Sequence, residues 1–328
     1  DSVKSRGLGD VYKRQVSKVE NLTEFLLEVK EKMAQIVNSN DPDISSINAY
    51  IFEHPGKLIR SKIIQIFGSH LGIRKIKMLE LATASELIHL STLIHDDIID
   101  EADLRRGNET IIKKWGLKQA LLYGDYLYTK TFSTLNSLDN QKIAKRLIDC
   151  AEELIEGEFI QIKYHQQDVP SLSNYMEIVD KKTGALFKGM LECIGLELNF
   201  SVNQLLKLGE LGREFGFAFQ LNDDLADFQE ERITGKESFK DLSEGKYTFP
   251  IISSIKNMPE LEQKNLFSAI NSKNYDVVNK KLAEFEGFKS TRQARDSSVQ
   301  KCIEYSKDLI GLDDSEFVTE YLTTLLKA

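Results

Sequence analysis

Three aspartates, Asp96, Asp97 and Asp100, close the apolar run ELIHLSTLIH, and the same D-D-x-x-D spacing returns at Asp223, Asp224 and Asp227. On a helix, positions four apart differ by about 40° around the axis. Asp96 and Asp100 therefore share a face, as do Asp223 and Asp227, with Asp97 and Asp224 beside them. Like charges at this spacing repel, and burial raises their pKa values. A hard divalent cation relieves both costs. Magnesium, which takes carboxylate and water oxygens and shares its shell with phosphates, suits this donor set. Either cluster alone reads equally well as a solvated acidic helix end. Two of them, each closing a long apolar helix, favour facing walls that hold a diphosphate through bridging ions.

Such a site also needs cations from the protein, and they follow in the chain. Arg105 and Arg106 come just after the first cluster, and Lys236, Lys240 and Lys246 after the second. Lys57 and Arg60, in EHPGKLIRSK, stand near a helix start, where backbone N–H groups favour anions. Arginine grips phosphate with two prongs, whereas lysine acts as a point charge. Each of these residues alone would pass for a surface charge.

The elements that must position these groups are helices. Apolar residues recur three and four apart over 18–37, 58–72, 74–102, 116–137, 140–165, 171–198 and 202–229. The pattern continues over 247–271, 275–286, 291–310 and 315–327, and no alternating run with turn signals predicts a sheet. Ser171 to Ser173, Ser201 or Asn203, and Asp313 to Ser315 read as helix starts. The five prolines lie near breaks in the apolar period. These patterns predict an all-α fold: one large helical bundle over 16–328, without repeats or a splitting linker. Residues 1–15, DSVKSRGLGDVYKRQ, fit nothing that follows and are expected to be a disordered or non-native tail.

Composition excludes several classes. The 328 residues are 41% hydrophobic and 29% charged, which reads as globular and large enough for a sizeable core. No apolar run approaches the roughly 20 residues of a membrane span, and the N-terminus lacks a signal-peptide pattern. A net charge of −8 gives no basic face for nucleic acid. Three scattered cysteines, Cys150, Cys193 and Cys302, suggest packing residues in a reducing cytoplasm rather than a disulfide framework or a zinc site.

From about residue 20 onward the chain resembles the trans-polyprenyl diphosphate synthases, the head-to-tail isoprenyl elongases. The likeness is carried by PGKLIR, ELIHLSTLIHDDIIDEADLRRG, GDYL at 124–127, KKTGALFKG at 181–189, FQLNDDLADF and GKESFKDLSEGKYTFP, in that order. It implies an isoprenoid-synthase bundle with a central cavity. Asp96, Asp97, Asp100, Asp223, Asp224 and Asp227 would hold three Mg²⁺ ions and an allylic diphosphate, such as farnesyl or geranyl diphosphate. Arg105, Lys182 and Lys236 would grip that diphosphate, with Lys246 a further substrate-binding cation. Lys57, Arg60, His89 and Arg106 would bind isopentenyl diphosphate. Thr183 and Gln220 would turn oxygen dipoles toward the developing allylic cation. The chain departs from the family at Pro55-Gly56-Lys57-Leu58-Ile59-Arg60, where Gly-Gly-Lys-Arg-x-Arg is usual, so one basic residue is lost. His89 lies about two turns before Asp96, on roughly its face, and the resemblance raises it above a packing histidine. His95 is expected to support or pack, Trp115 to lie in the core, and Tyr123, Tyr126 and Tyr128 to be packing or interface residues.

Family members that make short products usually carry an aromatic residue five or four positions before the first aspartate. Here those positions are Ser91 and Thr92. Both are small, which implies an open tunnel and a long all-trans product of the quinone side-chain type, similar to octaprenyl. The floor is then expected on 140–165, near Leu147, Ile148 or Ala151. A geranylgeranyl or farnesyl product is the alternative. A class I terpene cyclase would need Ser or Thr where Ala226 stands, and a non-catalytic subunit would lack aspartates or the Lys182-Thr183 pair. The resemblance further implies a homodimer, and a membrane-soluble product implies transient membrane contact.

Overall fold

The computed structural model describes residues 22–54, 56–105, 107–164, 169–229, 238–310 and 312–327. The expected tail and the candidates Arg106 and Lys236 lie outside the described residues, as does Pro55. The first helix, α1, runs over 22–36. It is followed by α2 (Pro42–Glu53), α3 (Ile59–Leu71) and α4 (Lys75–Ile99). Next come α5 (Ile111–Trp115), α6 (Leu117–Asn136), α7 (Gln141–Tyr164) and α8 (Leu172–Val179). After α9 (Ala185–Glu197) and α10 (Val202–Ala226), the short α11 (Lys240–Ser243) leads to α12 (Phe249–Asn257) and α13 (Glu260–Asn271). The chain ends in α14 (Tyr275–Glu284), α15 (Gly287–Ile310) and α16 (Leu312–Lys327).

Two helices form the frame. Both α4 and α10 contain 25 residues, about 37 Å of axis. In α4 every residue from Leu81 to Ile88 is buried, so this helix is enclosed on all sides and shows little amphipathic contrast. It packs against α3 and α6, while α10 packs against α9 and α15. Around them one apolar core runs from Phe25 to Leu326, with a smaller cluster of Phe228, Leu242, Met258 and Leu266 among its members beneath α11 to α14. Ser201 starts α10 with a capping box: its hydroxyl accepts from the Gln204 N–H, and the Gln204 side chain accepts from the Ser201 N–H.

Four expectations are corrected. An unexpected helix, α2, starts at Asp41, whose carboxylate accepts from the N–H groups of Asp43 and Ile44, with Pro42 in the first turn. Only Ile47 of α2 is buried, which is why its apolar period is weak. The helix expected over 247–271 breaks at Met258-Pro259, because proline cannot donate inside a helix. A two-stranded hairpin, β1 (Leu104–Arg105) with β2 (Asn108–Glu109), turns through Gly107 at φ 79°. Finally, the helix expected over 171–198 is interrupted by a π turn, Asp180–Gly184, between α8 and α9.

Candidate active site

The upper ends of α4, α7 and α10, with α8 and the π turn, enclose a cavity of about 810 Å³. From α4 it is lined by His89, Thr92, Leu93, His95, Asp96, Ile98, Ile99 and Asp100. Across it stand Phe219, Gln220, Asp223 and Asp224 of α10, and Lys182 and Thr183 of the π turn. The two acidic motifs therefore share one chamber. Within each motif the members part company.

In the first motif Asp96 and Asp100 face the cavity, while Asp97 is turned to the hairpin. Arg105 Nε donates to both Asp97 carboxylate oxygens at 2.8 and 2.9 Å, so the arginine following the motif is held by its middle aspartate. Asp100 pairs with Lys246 at 2.7 Å, a contact that ties the end of α4 to the segment after α11. Burial pushes Asp96 up to about 6, opposed by Lys182 and Arg105 and reinforced by Glu158 and Asp100.

In the second motif Asp223 and Asp224 line the cavity, and Asp227 does not. Asp227 Oδ1 accepts from the Lys240 N–H at 2.8 Å and the Asp241 N–H at 3.4 Å, which places it at the start of α11. Asp224 is fully buried. Its carboxylate accepts from the Tyr175 hydroxyl at 2.6 Å, the Phe249 N–H at 2.9 Å and Gln220 Nε2 at 3.0 Å. Burial nevertheless pushes Asp224 up to about 7, and burial together with Asp241 pushes Asp227 up to about 7.

The π turn widens the backbone where two functional side chains must point inward together, a use to which such bulges are often put. It rests on close backbone contacts. A Cβ at Gly216 would stand 2.8 Å from the Gly184 Cα, and one at Gly157 would stand 2.8 Å from the Lys181 Cβ. Lys182 pairs with Glu158 of α7, and the Thr183 hydroxyl donates to Gln220 Oε1 at 2.9 Å.

On the other side of the chamber, Arg60 and His89 line the cavity, with the Arg60 guanidinium 5.0 Å from the centroid of the Phe187 ring. Lys57 is exposed, and Leu58 beside it takes a left-handed φ of 48° at the start of α3. Burial, with Lys57 next in effect, lowers the pKa of Lys62 in the same turn. Of the expected site residues, Arg60, His89, Arg105, Lys182, Thr183, Gln220 and Lys246 line one chamber, and Lys57 does not.

The tunnel expectation is redrawn. Thr92 lines the cavity, but Ser91 is buried in the core with its hydroxyl donating to the Leu87 carbonyl. On α7 the wall runs from Leu154 and Ile155 to Ile162 and Tyr164. Leu147 and Ala151 are packed in the core and Ile148 is exposed, so none of these floor candidates lines the chamber. Tyr128, expected to pack, does line it, stacked on His95 with ring centroids 5.7 Å apart.

Sequence reasoning missed Glu158 and Tyr175. Glu158 had a readable signal, because Leu147, Ala151, Leu154 and Glu158 form one helical face on which a single carboxylate interrupts an apolar stripe. Tyr175 shares the inner face of α8 with Val179 and had none.

The donor set fits a hard divalent cation, since the carboxylates of Asp96, Asp100, Asp223 and Asp224 line the chamber. Among the described residues no group of three or more such side chains is close enough to cage a metal unaided. All three cysteines are buried and free of disulfides, and no described helix is long and apolar enough to cross a membrane.

Comparison with known proteins carries this geometry to a family. The octaprenyl diphosphate synthase of Haemophilus influenzae is 32% identical over 231 residues, 70% of each chain. The geranylgeranyl diphosphate synthase of Methanosarcina mazei is 32% identical over 229 residues, 67% of this chain and 70% of that one. A polyprenyl synthase structure from Caulobacter crescentus CB15, in complex with calcium and isoprenyl diphosphate, shares the fold with a TM-score of 0.86 at 24% identity, covering 95% of this chain and 97% of that one. The polyprenyl synthetase family profile matches residues 41–285. The chain belongs to the polyprenyl synthetase family and is a prenyltransferase.

Proposed function

We propose that this chain condenses isopentenyl diphosphate repeatedly, head to tail, onto an allylic diphosphate such as farnesyl or geranyl diphosphate, giving a long all-trans polyprenyl diphosphate. The observation that carries the reading is the chamber itself. Two aspartate motifs face each other across about 810 Å³, with small Thr92 rather than an aromatic residue on the α4 wall one turn below Asp96.

Asp96, Asp100 and Asp223 are the side chains best placed to hold Mg²⁺, with three ions expected once diphosphate is bound. When bound, the ions neutralise charge on the leaving diphosphate and so assist C–O ionisation. Lys182, Arg105 and Lys246 are held by Glu158, Asp97 and Asp100, and an arriving diphosphate draws on these preplaced cations. Thr183 and Gln220 offer oxygen dipoles to the allylic carbon. Phe219, Leu154, Ile155 and Val179 exclude water from the cation. Arg60 and His89, with Lys57 and Arg106, receive isopentenyl diphosphate. The proton lost after condensation passes to the departing diphosphate, so no strong protein base is required.

A second reading, a geranylgeranyl product, draws support from Tyr128, whose stacked ring lines the chamber and would stop a tail early. Incubating the protein with Mg²⁺, farnesyl diphosphate and labelled isopentenyl diphosphate, then sizing the alcohols after dephosphorylation, separates the two. A ladder reaching long products supports the first reading, and an end at twenty carbons supports the second. Thr92→Phe should shorten the product by one or more C5 units, and an unchanged ladder would remove Thr92 from the tunnel wall.

We read the chain as a homodimer of the cytoplasm with transient membrane contact during product release. Leu122 and Phe132 of α6 and Ile148 of α7 are exposed and do not line the chamber, and a second copy would cover them. Light scattering that returned the mass of one chain would refute the dimer.

A further inference from the structure

We propose that Tyr175 is a positioning residue: through Asp224 and Gln220 it sets the polarity of Thr183, so that the threonine oxygen presents lone pairs rather than a proton to the chamber. The inference rests on the elongase reading above.

With Asp224 as a carboxylate, the chain of contacts has one consistent direction. The Phe249 N–H can only donate, and it meets Asp224 Oδ2 at 2.9 Å beside the Tyr175 hydroxyl at 2.6 Å. Two donors on Oδ2 leave Oδ1 to accept from Gln220 Nε2 at 3.0 Å. The Gln220 amide is thereby oriented with nitrogen toward Asp224 and oxygen toward Thr183. At 2.9 Å from Thr183 Oγ1, that Oε1 has no proton to give, so the threonine hydroxyl must donate. Its single proton is spent on Gln220. What Thr183 keeps for the chamber, which it lines, is lone-pair density.

A hydroxyl without this constraint rotates freely and can aim its proton at the substrate. Beside a developing allylic cation the two orientations have opposite signs, and a dipole fixed beforehand needs no reorganisation during reaction. Tyr175 anchors the far end. It is buried, it stands edge-on to the Phe249 ring at 5.6 Å, and it joins α8 to the start of α12 across the end of α10. Four elements thus converge on the orientation of one hydroxyl. The second aspartate of the second motif serves this relay, whatever it contributes to metal.

The test is a double-mutant cycle on the first condensation, measured with farnesyl diphosphate, isopentenyl diphosphate and Mg²⁺. Tyr175→Phe keeps the ring and removes one donor to a charged acceptor. Expected is a loss of about tenfold in kcat, with KM for both substrates and the Mg²⁺ activation midpoint within about twofold. In a Thr183→Val background the same substitution should cost less than about twofold, because both changes act through one oxygen. Equal costs in the two backgrounds would overturn the relay and leave Tyr175 a packing residue. If Tyr175→Phe fails to fold, Gln220→Met serves in the same cycle, with the same non-additivity expected and additivity overturning the proposal. Wild-type protein is assayed first. No condensation from it would overturn the elongase reading and the relay together, whereas active wild type with an additive cycle overturns the relay alone.

Discussion

The two aspartate motifs have the same spacing and opposite surroundings. On α4 the partners are cations: Arg105 holds Asp97 and Lys246 holds Asp100. On α10 they are neutral donors: the Tyr175 hydroxyl, the Gln220 amide and the N–H groups of Phe249, Lys240 and Asp241. On the proposed function an ion pair would be exchanged when a diphosphate arrives, the cation taking a new anion and the aspartate a metal ion. A carboxylate held by backbone N–H groups is part of the frame. On that reading the first wall would rearrange and the second stay, with Asp223 as its member facing the cavity beside the anchored Asp224.

The largest effect should come from aspartates that face the chamber. Asp96→Asn and Asp223→Asn are each expected to lower the condensation rate by about 10²–10³-fold, since each removes charge from where the leaving group is stabilised. Asp97→Asn and Asp227→Asn act through Arg105 and α11, and about tenfold to a hundredfold is expected of them. Steady-state rates at saturating Mg²⁺ check this. Equal losses for Asp96→Asn and Asp97→Asn would erase the distinction between the two faces of the first motif.

A smaller effect separates the walls by stability. Lys246→Met removes the partner of Asp100 and should cost about 2 kcal/mol, the scale of a hydrogen bond to a charged group. Adding Mg²⁺ with diphosphate should recover more of that loss than the same addition gives wild type, because the metal replaces the missing cation. Urea unfolding with and without ligand, and after chelation, reads it out. A loss that ligand does not recover would mean that Lys246 serves packing rather than charge.

The smallest effect is the pH dependence of the metal-free protein. Burial raises Asp96 from 3.8 to about 6, and Asp224 and Asp227 from 3.8 to about 7. Across that window the folded chain holds protons that the unfolded chain has released. The stability these groups contribute is present below about pH 4 and lost as pH rises through 6 to 7. Melting temperature without metal should therefore fall between pH 5.5 and about pH 8, and the stabilisation by Mg²⁺ should be larger at the higher pH, where no proton must leave first. Asp224→Asn should flatten the slope more than Asp96→Asn, and the reverse order would contradict the contrast between the walls.

Much of the fold was legible because its main helices are long and strongly periodic. The extents of α4 and α10 follow from apolar spacing to within three residues, whereas the choice of Ser201 over Asn203 as the cap came from the structure. The motifs were legible because six aspartates at repeated spacing are hard to place otherwise. What could not be read was side-chain direction within a motif. Ser91 and Thr92 are equally small, yet a rotation of about 100° puts one in the core and the other on the cavity. The π turn was hidden too, since KKTG continues the helical period and only the approach of Gly184 to Gly216 shows why the backbone widens there.

By itself the sequence determined the helical architecture, the family and the residue types of the chemistry. Each of these rests on local spacing or on patterns along the chain. Tertiary structure decided which aspartates face the chamber, which cation rests on which carboxylate, and that Tyr175 and Glu158 line it at all. Those outcomes depend on contacts between α4, α7, α8, α10 and α12, separated by tens of residues, and a pairing of that range leaves no period in the sequence.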